Sequence, residues 1–405
     1  MTPPLIVIAA GGTGGHVFPA ISLGRQLIDR GYRVVLLTDT RVQNLAEISD
    51  GEFEQIVLPV RRLGRRPGSL FIGSAGLVGA YFKAWRLIGK LRPAAVIGFG
   101  GYPSLPPLIA AGHRRVPTVI HEQNAVLGRT NRFLARHADA VALSFAVTDR
   151  PDWRRGRRSS EHTHLVGNPV RSGIEKRAGS DYSAPREDDA FRILVTGGSQ
   201  GASVFAELLP QAFAQLAEPL RRRLSVVQQC RPEDLNAVRE SYAALGIAAE
   251  LSPFFEEMAN LIAGAHLVIC RSGASTVAEI TTIGRPAIFL PYPHATNDHQ
   301  RANAATVVKS GGGWLMDQAI TGPEELAGQI EYLMAEPCAL ATAAQVAASL
   351  GHGDAASRLA DLVETLAANR SVAAPDSAVQ GARDTRPGGG NAPFQPVSAS
   401  TRGIP

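Results

Sequence analysis

GGTGGHVFPA, Gly11 to Ala20, stands directly behind the apolar run LIVIAA that begins at Leu5. A short unbroken apolar run reads as a strand covered on both faces, as in a parallel sheet. Beyond the glycines, Ala20, Leu23 and Leu27 share one helical face. Strand, glycine loop and helix together form an anion site, because exposed N–H groups and the positive end of the helix dipole favour phosphate. A histidine, His16, stands where that helix should begin. The dinucleotide fingerprint GxGxxG fits poorly: Gly12 and Gly14 match its start, but Val17 takes the place of the third glycine. Asp39, behind the second apolar run, still leaves a nicotinamide or flavin oxidoreductase open. No GK[ST] follows, so a P-loop is excluded.

The same plan repeats along the chain. RVVLLT from Arg33, AAVIG from Ala94, PTVIH from Pro117 and DAVALS from Asp139 alternate with helical patterns. A second series follows: THLVGNP, FRILVTGG, LSVVQQC, HLVIC and RPAIFLP, with Gly197, Gly198 and Gly201 again placed between strand and helix. This predicts two Rossmann-like, doubly wound α/β domains facing across a cleft and joined near Val166 to Arg171. The expected division is 1–165, 166–350, a last helix at 351–367 built on Leu359, Leu362, Val363 and Leu366, and 368–405. The last segment is rich in Pro, Gly, Ser and Ala and reads as a disordered tail.

Composition narrows the function. The 405 residues carry 41 Lys and Arg against 36 Asp and Glu, a net charge of +5, too little for bulk nucleic-acid affinity. The three cysteines are far apart and read as reduced thiols. No zinc spacing and no DxD triplet occurs, so no metal or other cofactor is expected. No apolar run reaches the roughly 18 residues of a membrane span, and the N-terminus reads as a strand rather than a leader.

A third glycine element, CRSGASTVAEI, runs from Cys270 to Ile280 behind the run HLVIC. Ser272, Ser275 and Thr276 are candidates to cap a helix there, and Gly273 admits a ligand to its N-terminus. Glu279 lies about one turn into that helix, where it would repel phosphate but could hold a pair of sugar hydroxyls; a capping or solvated glutamate is the plain alternative.

Seven motifs, taken in order, resemble the bacterial MurG family: GGTGGHVFPA, GFGGYPSLPP from Gly98, HEQNAVLGRTNR from His121, GNPVR from Gly167, TGGSQGA from Thr196, CRSGASTVAE, and PYPHATNDHQRANA from Pro291. The resemblance spans about Leu5 to about Leu366. It implies a GT-B fold and an inverting, metal-independent transfer of N-acetylglucosamine from UDP-N-acetylglucosamine to lipid I, making lipid II for peptidoglycan. By motif position, the donor contacts are Thr13, Gly14, Gly15, Asn124, Arg171, Ser199, Phe255, Ala274, Ser275, Thr276, Val277, Ala278, Glu279 and Gln300. His16 is the first candidate for the base that takes the acceptor's proton, since imidazole titrates near neutrality; a positioning role is its alternative. Glu122 and His121 are lesser candidates that could equally brace their loop.

The implied acceptor sits in a membrane. The segment Leu70 to Arg92 sets Leu70, Phe71, Leu77, Val78, Tyr81, Phe82 and Trp85 beside Lys83, Arg86, Lys90 and Arg92, with Arg61, Arg62, Arg65 and Arg66 preceding it. Basic residues around an apolar patch suit an anionic bilayer surface, whereas the same spacing also fits an ordinary core helix. The expected place is therefore the cytoplasmic face of the inner membrane, held peripherally, with cell-wall synthesis proteins as further partners. The competing readings are a UDP-sugar epimerase, a glycolipid synthase, a UDP-sugar-binding regulator and the oxidoreductase that would use Asp39.

Overall fold

The computed structural model describes residues 3–12, 14–40, 53–58, 67–146, 162–198 and 201–373, with backbone alone at 67–75 and 370–373. Thr13, Ser199, the arginines at 61, 62, 65 and 66, and the tail from 374 onward lie outside the described residues.

The first sheet has seven strands: β1 (Leu5–Ala9), β2 (Arg33–Thr38), β3 (Glu54–Val57), β4 (Ala95–Gly98), β5 (Thr118–Glu122), β6 (Ala140–Leu143) and β7 (Thr163–Leu165), in the order β3-β2-β1-β4-β5-β6-β7. The second has β8 (Phe191–Thr196), β9 (Leu224–Gln229), β10 (Ala248–Ser252), β11 (Leu267–Cys270), β12 (Ala287–Phe289) and β13 (Gly313–Leu315), in the order β10-β9-β8-β11-β12-β13. All pairings are parallel; Ile8, for example, lies between Leu36 and Ile97, and Ile269 between Val195 and Ile288. In each sheet the winding reverses beside the first strand, between β1 and β4 and between β8 and β11. Open parallel sheets bind ligands at such switch points.

The central strands β1, β4, β5, β6 and β11 are buried at every residue, which is why they read as unbroken apolar runs. Three strands escape a reading by apolar runs: EQIV of β3, AAELS of β10 and GWL of β13. Each is an edge strand, paired on one side only. Another difference concerns THLVGNP, expected to open the second series. Its first residues form β7 and close the first sheet, with Leu165 opposite Leu143. The chain turns away only at Gly167, whose φ of 87° suits a residue without a side chain.

The helix Ala355–Ala373 returns from the second half to the first. Leu359, Ala360, Val363 and Ala367 join Ile6, Ile8, Leu23 and Leu27 in one buried cluster. Arg30 ties the helix down from the other side: Nη1 donates to Asp361 at 2.6 Å and Glu364 at 2.9 Å, and Nη2 donates to Ser357 Oγ at 2.7 Å. The helix runs past the expected Ala367 to Ala373, because no breaker occurs in the sequence before Pro375.

Leu359→Ala should lower unfolding stability by about 2–5 kcal/mol, since its side chain is fully buried in the core of the first half. Arg33→Ala, which removes an exposed pair with Glu54, should cost under about 1 kcal/mol. Chemical denaturation of the two variants checks the contrast.

Candidate active site

The helix Gly14–Asp29 starts at the carboxyl edge of β1, and His16 lies in its first turn. Before it, Gly11 runs too close to its neighbours for a side chain. A Cβ on Gly11 would stand 2.8 Å from Pro103 Cγ and 3.3 Å from the Asp39 carboxyl carbon, and Gly12 has φ 94°. Asp39 is thus buried behind the loop.

His16 does not stand alone. Its Nδ1 lies 2.9 Å from Gln123 Oε1, at the end of β5. Gln123 Nε2 lies 3.0 Å from His121 Nδ1 and 3.3 Å from the His121 carbonyl. His121 Nε2 lies 2.9 Å from the carbonyl oxygen of Gly167, where the chain leaves the first sheet. His121 is fully buried against Phe99, and burial pushes its imidazole down to about 4, with the Gly167 carbonyl acting in the opposite sense. His121 is thereby neutral at neutral pH.

Glu122 braces the same loop. Oε1 accepts from the Asn124 backbone N–H at 3.0 Å and its Nδ2 at 3.2 Å; Oε2 accepts from Gly128 N–H and Asn131 Nδ2, each at 2.9 Å. Four donors on one buried carboxylate hold the backbone of HEQNAVLG in place.

On the other side, the helix Ala274–Ile283 begins at the carboxyl edge of β11. The expected side-chain cap is absent, and Gly273 takes the N-cap position. Ser272 Oγ and Ser275 Oγ are buried there without a protein partner, beside the unpaired N–H groups of the first turn. This end of the helix therefore offers donors to an anion. A Cβ on Gly198, φ 75°, would lie 3.7 Å from Thr276 Oγ1, so Gly198 approaches the same end. Val277 differs from its neighbours. Its side chain belongs to the core with Leu194 and Phe289, so only its backbone is available.

Arg171 joins the two sides. Nε and Nη2 reach the same oxygen, Glu279 Oε1, at 3.0 and 2.9 Å, while the guanidinium carbon lies 5.7 Å from the Phe18 ring on the His16 helix. Burial pushes the Glu279 carboxyl up, and the Arg171 charge opposes that shift. Nearby, Ser22 Oγ donates to Val170 O at 2.8 Å.

Two residues with no role assigned from the sequence complete the arrangement. One is Gln123. The other is Asn303, fully buried on the helix His299–Val308. Its Oδ1 accepts from Ala125 N–H at 2.7 Å, and its Nδ2 donates to Asn124 Oδ1 at 3.2 Å and Ser272 O at 3.1 Å. One amide thus links the loop after β5 to the loop after β11. Both residues lie inside the motifs that carry the resemblance, and an amide side chain at a motif position is the signal that could have marked them. Gln300, three residues earlier, accepts from the Tyr292 N–H at 2.9 Å, and Phe255 is packed inward while Phe254 is exposed.

Comparison with known proteins places this geometry. Residues 6–143 match the glycosyltransferase family 28 N-terminal domain, and residues 192–361 match its C-terminal domain. A protein of Novosphingobium aromaticivorans is 48% identical over 90% of this chain and 92% of its own. One of Rhodospirillum rubrum is 48% identical over 91% and 93%. Both are named UDP-N-acetylglucosamine--N-acetylmuramyl-(pentapeptide) pyrophosphoryl-undecaprenol N-acetylglucosamine transferase. The crystal structure of Acinetobacter baumannii MurG superposes with a TM-score of 0.72 at 30% identity, covering 90% of this chain and all of that one. Two switch-point sheets of the GT-B kind, both domain matches and this level of identity over nearly the whole chain make it a member of glycosyltransferase family 28, within the MurG family.

Proposed function

We propose that the chain moves N-acetylglucosamine from UDP-N-acetylglucosamine to the 4-hydroxyl of N-acetylmuramic acid in lipid I, with inversion to a β-1,4 linkage and release of UDP. The observation that carries the reading is the meeting at Arg171, which stands between the helix bearing His16 and the helix bearing Glu279. A base candidate from one half and an anion-binding helix start from the other thus lie on two helices that Arg171 bridges.

In this reading His16 takes the acceptor's proton as its oxygen attacks the donor's anomeric carbon. The bond from that carbon to the β-phosphate oxygen breaks, and its electron pair leaves with UDP. The first-turn N–H groups at Ala274, the hydroxyls of Ser275 and Thr276, and Arg171 receive the developing charge. Both Arg171 contacts fall on Oε1 of Glu279, so Oε2 is left to accept a ribose hydroxyl. Gly14, Gly15, Asn124, Phe255 and Gln300 complete the donor site, with Thr13 and Ser199 from their motif positions.

Lipid I also requires contact with a bilayer. Among the described residues no helix is long and apolar enough to cross a membrane. The helix Pro67–Leu91 instead exposes Val78, Phe82 and Trp85 beside Lys83, Arg86 and Lys90, over an apolar hollow of about 300 Å³ lined by Leu77, Tyr81, Leu105 and Ile109. Arg114 stacks on Trp85 at 3.8 Å. The reading is a peripheral contact with the cytoplasmic face of the inner membrane, each basic residue contributing about 1 kcal/mol near an anionic surface.

Labelled UDP-N-acetylglucosamine with a lipid I analogue should yield labelled lipid product and UDP in equal amounts; binding without transfer would overturn the reading. His16→Ala should lower kcat about 10²- to 10⁴-fold while UDP affinity stays nearly unchanged. Asn303→Ala removes the link between the loops and should reduce kcat/KM about 5- to 150-fold, as expected for about 1–3 kcal/mol. Unchanged kinetics in a folded variant would refute that role. Phe82→Ser with Trp85→Ser should abolish sedimentation with vesicles containing anionic phospholipid, while transfer to a soluble acceptor analogue persists; unchanged sedimentation rejects the membrane contact.

A further inference from the structure

The sequence of contacts from Gly167 to His16 ends on an atom whose part in a hydrogen bond has only one possibility. A carbonyl oxygen only accepts, so the 2.9 Å contact to Gly167 O places a proton on His121 Nε2. Neutral His121 then carries its lone pair on Nδ1. That lone pair accepts from Gln123 Nε2 at 3.0 Å, and the same amide nitrogen donates its second hydrogen to the His121 carbonyl at 3.3 Å. With both amide hydrogens engaged, Gln123 presents only Oε1 to His16. The 2.9 Å contact to His16 Nδ1 is a hydrogen bond only if Nδ1 holds the proton.

We propose that Gln123 and His121 are positioning residues for the transfer: they hold His16 as its Nδ1–H tautomer, so that Nε2 is the basic atom. The inference rests on the reading of His16 as the base. A histidine side chain free in water populates mainly the opposite tautomer, so this one has to be imposed by its surroundings. The step balances. Nε2 receives the acceptor's hydroxyl proton, the hydroxyl oxygen forms its bond to the anomeric carbon, and the bond to UDP breaks with its electron pair. The resulting imidazolium donates from both nitrogens, so the Nδ1–H bond to Gln123 Oε1 persists without rearrangement. Gln123 therefore orients the ring as a carboxylate would in a hydrolase triad, but without a full negative charge beside the departing diphosphate.

The test is nitrogen NMR of the full chain labelled at histidine, with His16 assigned by loss of its signals in His16→Ala. The wild type should show His16 protonated at Nδ1 and bare at Nε2. Gln123→Leu should revert it to the Nε2–H form and lower kcat about 10- to 100-fold, leaving KM for UDP-N-acetylglucosamine unchanged. Gln123→Glu keeps an acceptor oxygen and should keep the Nδ1–H form, while kcat stays below wild type because it loses the donor to His121 Nδ1 and adds a negative charge beside the departing diphosphate. An Nε2–H tautomer in the wild type overturns the proposal, as does Gln123→Leu with unchanged tautomer or unchanged kcat. Should Gln123→Leu fail to fold, the wild-type spectrum and Gln123→Glu decide. Normal turnover in His16→Ala would remove the base reading itself, a result separate from the tautomer seen in the spectrum.

Discussion

Parallel pairing forces a crossover after every strand, so all strand-to-helix loops of a sheet leave from one edge. Here that constraint acts twice. GGTGGH, GFGGYP and HEQNAV leave the first sheet at the carboxyl ends of β1, β4 and β5, while TGGSQG and CRSGAS leave the second at β8 and β11. Loops far apart in sequence are thereby collected into two short rims. A site built on rims of rigid strands needs few further contacts to be held, and Asn303 supplies one of them with a single buried amide.

The rims are polar, yet much of them is buried. Unpaired polar groups there would each cost about 1–3 kcal/mol, and many are tied to one another, though Asn131 Oδ1 and both polar atoms of Asn168 are not. Glu122 saturates its loop with four donors, and His121 bonds at both ring nitrogens. The exceptions are informative. Ser272 Oγ and Ser275 Oγ are left without protein partners at the start of the helix Ala274–Ile283, where donors facing an anion belong.

How far the sequence could be read follows burial. Strands covered on both faces appear as apolar runs, and the central strands of both sheets were legible for that reason. Edge strands β3, β10 and β13 were not, since most of their residues are exposed or half-buried and form no apolar run. The glycine loops were legible because close backbone approach excludes side chains, as Pro103 against Gly11 shows. The expected caps at Ser272, Ser275 and Thr276 failed because composition cannot say where a hydroxyl points.

By itself, the sequence determined the fold class, the two glycine-edged halves and the residue types available for chemistry, because these follow from local periodicity and from steric demands on single positions. Only the tertiary structure decided which polar groups meet. His16 and Gln123 are 107 positions apart, and Asn303 and Asn124 are 179 apart. No local pattern encodes such pairs. They arise when parallel strands align distant loops at one edge, and burial then makes each hydrogen bond costly to leave unmade.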